Sequence, residues 1–364
     1  MDITIDATPM LGRRTGVGQY VAHLIAELPG AIARRSIDAT VRPTTWTARG
    51  GALSGLPPDM HQIGPRVPAR LLRAAWQRFD GPPIELLVGR TDVFHGTNFV
   101  SPPTRRAREV VTIHDLTYVE HSETVSHASL AYQRLVPRAL DRGAHVVTPS
   151  EAVALRVRDR YGLPADRVTA TPLGVAPEWF DAEPASAAWL GAHELPNEYI
   201  VFVGSLDPRK NLARLLDAHR DLRAQDPSAP DLALAGPAGR DESVNGRPGV
   251  HLTGWLDDGE LRSLVAGARA LALPSLDEGF GLPAAEALAA GRPVVISQAP
   301  ALREVVGRHG FDAPASDTEA LTDALARALA ADDSDVARAA RREWARRFTW
   351  ARTAELTLDV YLSV

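Results

Sequence analysis

The sequence predicts an α/β protein made of two doubly wound domains. Three observations carry that expectation. The chain has 364 residues, more than one hydrophobic core usually serves. Strand-like runs alternate with helix-like ones, the pattern of parallel sheets built from strand, helix and strand. Several of the strand-like runs are almost continuously apolar, as expected for strands covered on both faces.

In the first half the strands read DITID (2–6), DVFHG (92–96), EVVTIHD (109–115) and HVVTPS (145–150), with helices expected over 18–28, 129–142 and 150–161. In the second half they read YIVFVGS (199–205), DLALAGP (231–237), VHLTG (250–254), ALALPS (270–275) and PVVIS (293–297). Helices are expected there over 211–225, where Leu212, Leu215 and Leu216 make an apolar face, and over 258–267, 283–289 and 316–331. The Pro- and Ala-rich stretch 171–199 separates the two series, which puts the boundary near Ala182 and the domains at 1–182 and 183–347. The tail, 348–364, reads as a helix starting near Thr349 with Trp350, Leu356 and Tyr361 on one face. The segment 66–79 is basic and amphipathic: Leu72, Trp76 and Phe79 fall on one side, Arg66, Arg70, Arg73 and Gln77 on another. It suits either a helix packed on the first domain or one that docks to an anionic membrane.

Composition excludes several chemistries. There is no cysteine, so there are no disulfides, thiolate nucleophiles or Cys-ligated zinc. The net charge of −5 gives no basic field of the kind that nucleic-acid binders carry. The start, MDITIDATPM, lacks the basic and apolar regions of a secretion signal, and no run of about 18 apolar residues occurs. A cytoplasmic location is the expectation.

Ligands of doubly wound sheets bind outside the carboxyl ends of the strands, and the motifs lie there. TGVGQYVAHL (15–24) leads from the first strand into a helix. Gly16 and Gly18 let backbone approach a ligand at the helix start, or they make a plain tight turn. The motif is neither a dinucleotide fingerprint nor a Walker loop, since the required continuations are missing. TIHDLTY places His114 at a strand end, where a neutral imidazole donates to a substrate oxygen or is satisfied by local backbone. His95, Thr97 and Asn98 end another strand. With His121 and His127 they match no zinc spacing, and no metal is expected. After Gly204, Arg209 and Lys210 stand at the mouth of the 211–225 helix. Cations there oppose the helix dipole, so a bound anion such as a diphosphate is the economical explanation, an exposed basic turn the bland one. Asp333 and Asp335 imitate a metal-binding acid pair but lie in a loop before a helix, where capping is the better reading. Finally, EGFGLPAAEALAAGRPVV holds Glu278 and Glu286 across a Gly-rich turn, Gly279–Leu282, into a helix that Pro283 helps start.

Taken together, this last stretch, GSLDPRKN, TGVGQY, LTGWLDDGEL and TPSEAVALRV resemble the retaining glycosyltransferases of family 4, over nearly the whole chain. The resemblance implies the GT-B fold: two Rossmann-like domains facing across a cleft, with a C-terminal helix crossing back to the first. It implies that Glu278 holds hydroxyls of the donor sugar and that the backbone of Gly279, Phe280, Gly281 and Leu282 meets sugar and phosphate. Glu286 would bind the ribose, Arg209 and Lys210 the diphosphate leaving group, and Gly16, Gly18 and Gly204 the phosphate side. His114 would lie near the sugar ring, and the backbone at Trp255 and Leu256 would meet the base. A nucleotide diphosphate sugar is then a co-substrate, no cofactor or metal is needed, and the acceptor is a glycan, a lipid-linked glycan or a metabolite. GVGQYV, HGTNFVSPP and TIHDL look most like the mannosyltransferase-like branch, which implies GDP-mannose, with a UDP-sugar as the alternative. Rival readings are an epimerase or phosphorylase on the same plan, a sugar-binding protein without transfer, which would not need Arg209 and Lys210, and an inactive partner.

Overall fold

The computed structural model describes residues 1–47, 52–126, 128–237 and 246–364. The chain divides into two compact units, Met1–Gly174 with Thr349–Val364, and Val175–Phe348.

The first unit is built on six parallel strands: β1 (Asp2–Asp6), β2 (Thr40–Thr44), β3 (Val93–Gly96), β4 (Arg108–Thr112), β5 (His145–Thr148) and β6 (Val168–Ala170). Their order is β2-β1-β3-β4-β5-β6, so the winding reverses between β1 and β3. The apolar strand residues are fully covered, Ile3, Ile5, Val110, Val111, Val146 and Val147 among them. The second unit repeats the plan with β7 (Tyr199–Val203), β8 (Asp231–Ala235), β9 (Val250–Gly254), β10 (Ala270–Leu273), β11 (Val294–Ser297) and β12 (Gly310–Ala313). Its order is β12-β11-β10-β7-β8-β9, and the reversal lies between β7 and β10. At such a reversal the loops leave the sheet in opposite directions and open a crevice at the carboxyl ends.

The strands that sequence patterning passed over are β2, β6 and β12, and each is a sheet edge. Edge strands are covered less and need no continuous apolar run. β2 even holds Pro43, which an edge tolerates because one row of N–H groups is unpaired.

The units part at Gly174, eight residues before the expected Ala182, because 175–182 packs with the second unit. Val175 N–H donates to Phe348 O (3.1 Å), Trp179 is buried and the Arg346 guanidinium lies over the Phe180 ring. Phe348, grouped with the tail in the sequence reading, stays with the second unit, edge-on to Phe280 (5.4 Å). The return begins at Thr349, whose hydroxyl caps the helix Trp350–Ser363. That helix packs on Gly16–Arg34 through His23 stacked on Trp350 (4.6 Å) and the Arg34–Glu355 and Arg35–Asp359 ion pairs. Its buried face is Trp350, Ala354, Leu358 and Tyr361; Leu356, expected there, is partly exposed.

Within 66–79 the helix is Ala69–Trp76. Trp76 is buried against Trp46 and donates from Nε1 to Pro82 O (3.0 Å), with Leu72 packed against the same cluster. Phe79, expected on that face, is instead 66% exposed, as is Leu71 at 69%. Among the described residues no helix is long and apolar enough to cross a membrane.

Candidate active site

In the second unit the loops after β7 and β10 flank the winding reversal, and they carry the predicted charged residues. After β7, Pro208–Lys210 forms one 3-10 turn, followed by Asn211 in the left-handed region (φ 57°). Asn tolerates that conformation, and its Nδ2 donates to Pro274 O (3.1 Å) and Ala315 O (2.8 Å). Leu276 N–H donates back to Arg209 O (2.9 Å), so the two loops are laced together.

Glu278 sits on this lacing, 7% exposed. Its Oε1 accepts from Lys210 Nζ (2.5 Å) and from Ser275 Oγ (2.7 Å), and its Oε2 from Arg209 Nη1 (3.3 Å), which also donates to Asp277 O (2.7 Å). Burial pushes the Glu278 carboxyl up, but Lys210, Arg209 and the donated hydrogen bonds together outweigh it and hold the group at about 2. It is a carboxylate throughout the neutral range. Two of the three Lys210 ammonium protons make no hydrogen bond among the described residues.

Arg209 and Lys210 sit differently from the sequence expectation. They are not unsupported cations at a helix mouth. They close a 3-10 turn, whose carboxyl end favours positive charge, and they already share an acidic partner. The site is a fixed triad of two cations and one carboxylate, net positive by one.

The helix Leu282–Ala289 starts beside it. Its N-cap, Gly281, is left-handed (φ 92°), and a Cβ there would meet Leu302 Cδ2 at 2.4 Å. Gly281 O accepts the first helical bonds from Ala284 and Ala285 N–H, so earlier N–H groups have no helical acceptor. Phe280 is 3% exposed and edge-on to Phe348, which leaves only its backbone for a ligand. Glu286 is the fifth helical residue and Glu278 lies outside the helix, so the two acids do not share one helical face. Glu286 is partly exposed, and its carboxyl makes no hydrogen bond among the described residues. Burial, with the Asp258 charge adding and Arg262 opposing, pushes it up to about 8. Gly204 follows β7, where a Cβ would meet Phe202 Cζ at 3.3 Å and Lys210 Cε at 3.5 Å, and Gly236 approaches it so closely that a Cβ on Gly236 would sit 1.9 Å from Gly204 O. Leu256 is buried just before the Asp257–Glu260 capping box, so here too only backbone is presented.

In the first unit the helix Gly16–Arg34 follows β1. Gly16 is exposed at its first turn. Gly18 is buried, and a Cβ would lie 2.7 Å from Pro9 O, so close packing on the 3-10 turn Thr8–Met10 accounts for it. His114 Nε2 lies 2.8 Å from Thr97 O and therefore carries the proton, which leaves Nδ1 as an acceptor. The ring's proton is thus held by backbone, the alternative reading of the sequence. Burial lowers its pKa and keeps it neutral, between the edge-on rings of Tyr20 and Phe99 (5.4 Å each). His95 serves the core. It is fully buried, with Nδ1 2.6 Å from the Tyr361 hydroxyl and Nε2 2.7 Å from Thr112 Oγ1, which ties the last helix to the sheet. His121 lies 3.8 Å from Glu123, and His127 falls outside the described residues. Ser334 caps the helix Asp335–Ala345, and Asp333 pairs with Arg338 and Arg292.

Sequence reasoning missed Ser275 and Asn211, which hold Glu278 and the β7 loop. A polar residue three before Glu278, and an Asn directly before an amphipathic helix, were the available signals.

Known proteins agree with this architecture. Residues 14–179 match the description Glycosyltransferase Family 4, and residues 197–331 match Glycosyl transferases group 1. O-antigen chain mannosyltransferase B of Escherichia coli is 30% identical over 289 residues, 74% of each chain. The MMP alpha-(1->4)-mannosyltransferase of Mycolicibacterium hassiacum is 32% identical over 228 residues, 59% of this chain and 53% of that one. Sucrose-phosphate synthase from Thermosynechococcus elongatus superposes over 100% of this chain and 98% of its own, with TM-score 0.70 at 21% identity. Anabaena HepE in complex with UDP-glucose superposes over 100% and 99%, with TM-score 0.69 at 18% identity. The chain belongs to glycosyltransferase family 4, and it is a glycosyltransferase with the GT-B fold of two Rossmann-like domains.

Proposed function

We propose that the protein transfers mannose from GDP-mannose to a growing glycan, lipid-linked or on a metabolite, with retention of anomeric configuration and without a metal. The observation that carries this is the Lys210–Glu278–Arg209 triad at the winding reversal of the second unit, beside the glycine-capped start of the Leu282–Ala289 helix. Breaking a sugar–diphosphate bond builds negative charge on the departing phosphate. Preorganised cations and N–H dipoles stabilise it without reorganising. Glu278 keeps both cations in place before the donor arrives. The unengaged Lys210 protons and the backbone of Gly279–Leu282 then take the diphosphate, while Glu278 accepts from donor-sugar hydroxyls. Glu286 accepts from the ribose, backbone at Leu256 meets the base, and His114 Nδ1 accepts from a hydroxyl of the sugar. Gly16 and Gly204 keep the backbone low around the phosphates.

Mannosyltransferases among the relatives favour mannose as the sugar. The solved HepE complex holds UDP-glucose, which favours a UDP-sugar as the second reading. A thermal-shift series separates them. A donor that binds only the folded protein stabilises it by about 2.7 kcal/mol at 100 times its Kd. GDP-mannose is expected to give the largest shift, retained in EDTA. A larger shift with UDP-glucose would replace the donor, and a shift that needs added Mg²⁺ would overturn the metal-free reading. We also propose peripheral docking of 66–79 to the inner face of an anionic membrane in the cytoplasm. Absence of flotation with phosphatidylglycerol liposomes at low salt would remove it.

A further inference from the structure

Glu278 serves two demands at once. It holds Lys210 and Arg209, and it must keep an oxygen for the sugar. The plane of a carboxyl group turns with little resistance about its last side-chain bond. Neither cation fixes that plane. The Lys210 ammonium, 2.5 Å from Oε1, is a compact charge with rotatable donors. Arg209 Nη1 stands 3.3 Å from Oε2 and is held more closely by Asp277 O, at 2.7 Å.

Ser275 supplies the missing direction. It lies in the turn PSLDE (274–278) after β10, three residues before Glu278, and is fully buried. An ionised carboxylate only accepts, so Ser275 Oγ donates its single proton to Oε1 at 2.7 Å. The backbone on both sides of the serine is tied down. Asn211 Nδ2 donates to Pro274 O (3.1 Å), and Leu276 N–H donates to Arg209 O (2.9 Å). The hydroxyl therefore points from a fixed place. Oε1 takes both short bonds, from Lys210 and Ser275, while Oε2 takes one long bond among the described residues and keeps a lone pair to spare.

We propose that Ser275 is a positioning residue for transfer: its hydroxyl pins Oε1 of Glu278 to the Lys210 side, so that Oε2 is presented to the donor sugar. This rests on the reading above in taking Glu278 as the acceptor of sugar hydroxyls. Without the hydroxyl, the carboxyl turns so that both oxygens pair with Lys210 and Arg209. The sugar then loses its acceptor, while the diphosphate keeps both cations.

The test is calorimetric titration of GDP and of GDP-mannose into wild type, Ser275→Ala, Ser275→Thr and Glu278→Ala. The quantity read is the affinity for GDP-mannose divided by the affinity for GDP. Ser275→Ala is expected to lower that ratio about 10-fold, the share of one hydrogen bond to a charged group, with GDP affinity within about 2-fold of wild type. Ser275→Thr keeps the hydroxyl and is expected to restore the ratio. GDP and GDP-mannose affinities that fall together in Ser275→Ala would show that the serine acts through the fold, and would overturn the role. A ratio lowered by Glu278→Ala but not by Ser275→Ala would overturn it too, with the donor reading intact. A ratio moved by neither variant would remove the sugar contact of Glu278 itself. If wild type binds neither GDP nor GDP-mannose, the same ratio is read with UDP-glucose and UDP; binding of neither pair would overturn the donor reading, and the positioning role with it.

Discussion

Replacing Lys210 with Met tests the energetic core of the site. The ammonium lies 2.5 Å from Glu278 Oε1 and is itself largely covered. Glu278 is held at about 2 against an ordinary 4.5, and Lys210 is the largest contribution on the favourable side. That difference corresponds to about 3 kcal/mol in favour of the folded carboxylate. Without Lys210 the carboxylate keeps its burial cost and retains only Arg209 and Ser275. Breaking one side of a buried pair costs about 3–5 kcal/mol, and each kcal/mol moves the midpoint of a unit this size by roughly 2–4 °C. The variant should therefore melt roughly 6–20 °C lower near pH 7. The wild-type contribution is fully present above 4.5 and is lost as pH falls through about 2, because the folded state then binds the proton the unfolded state already holds. In the variant the carboxyl protonates at higher pH, which relieves the penalty, so the gap should narrow in acid. Adding Glu278→Gln to Lys210→Met should restore much of the loss. Scanning calorimetry at several pH values decides it. A Lys210→Met midpoint within about 1 °C of wild type near neutrality would refute the buried triad.

Two further predictions concern titratable groups whose pKa the fold shifts. Glu286 is raised to about 8 from 4.5, so the folded protein keeps a proton that the unfolded chain releases, and stability falls as pH rises across that window. Glu286→Gln should gain stability over wild type as pH rises to about 8, with a flat difference above it; a constant difference at all pH values would contradict this. Tyr361→Phe strips the partner from His95 Nδ1 and should cost about 1–3 kcal/mol, with faster amide exchange along Trp350–Ser363. Because burial lowers His95 to about 3, its contribution falls away as pH drops from 6.5 to 3. Unchanged exchange in that helix would show that the network does not dock it.

What the sequence made legible follows from burial. Central strands such as YIVFV and LAL are covered on both faces, and their apolar runs declare them, whereas β2, β6 and β12 lie at edges and carry no such run. The spacing of Glu278 and Glu286 announced a turn entering a helix, and the glycine at 281 is required by its left-handed backbone and by Leu302. The pairing of Lys210 with Glu278 was not legible, because it spans 68 residues and depends on which strands flank the reversal. For the same reason the sequence left the His114 proton open between substrate and backbone. Its partner, Thr97 O, comes from the neighbouring strand and sets the proton on Nε2.

The central claim is that Arg209 and Lys210 receive the diphosphate of a nucleotide sugar. Calorimetric titration of GDP into wild type and into Arg209→Ala/Lys210→Ala tests it most directly. Removing two charge-assisted hydrogen bonds, each at about 1.5–3 kcal/mol, predicts an affinity weakened by roughly 100-fold or more. GDP bound equally well by both proteins would contradict the account.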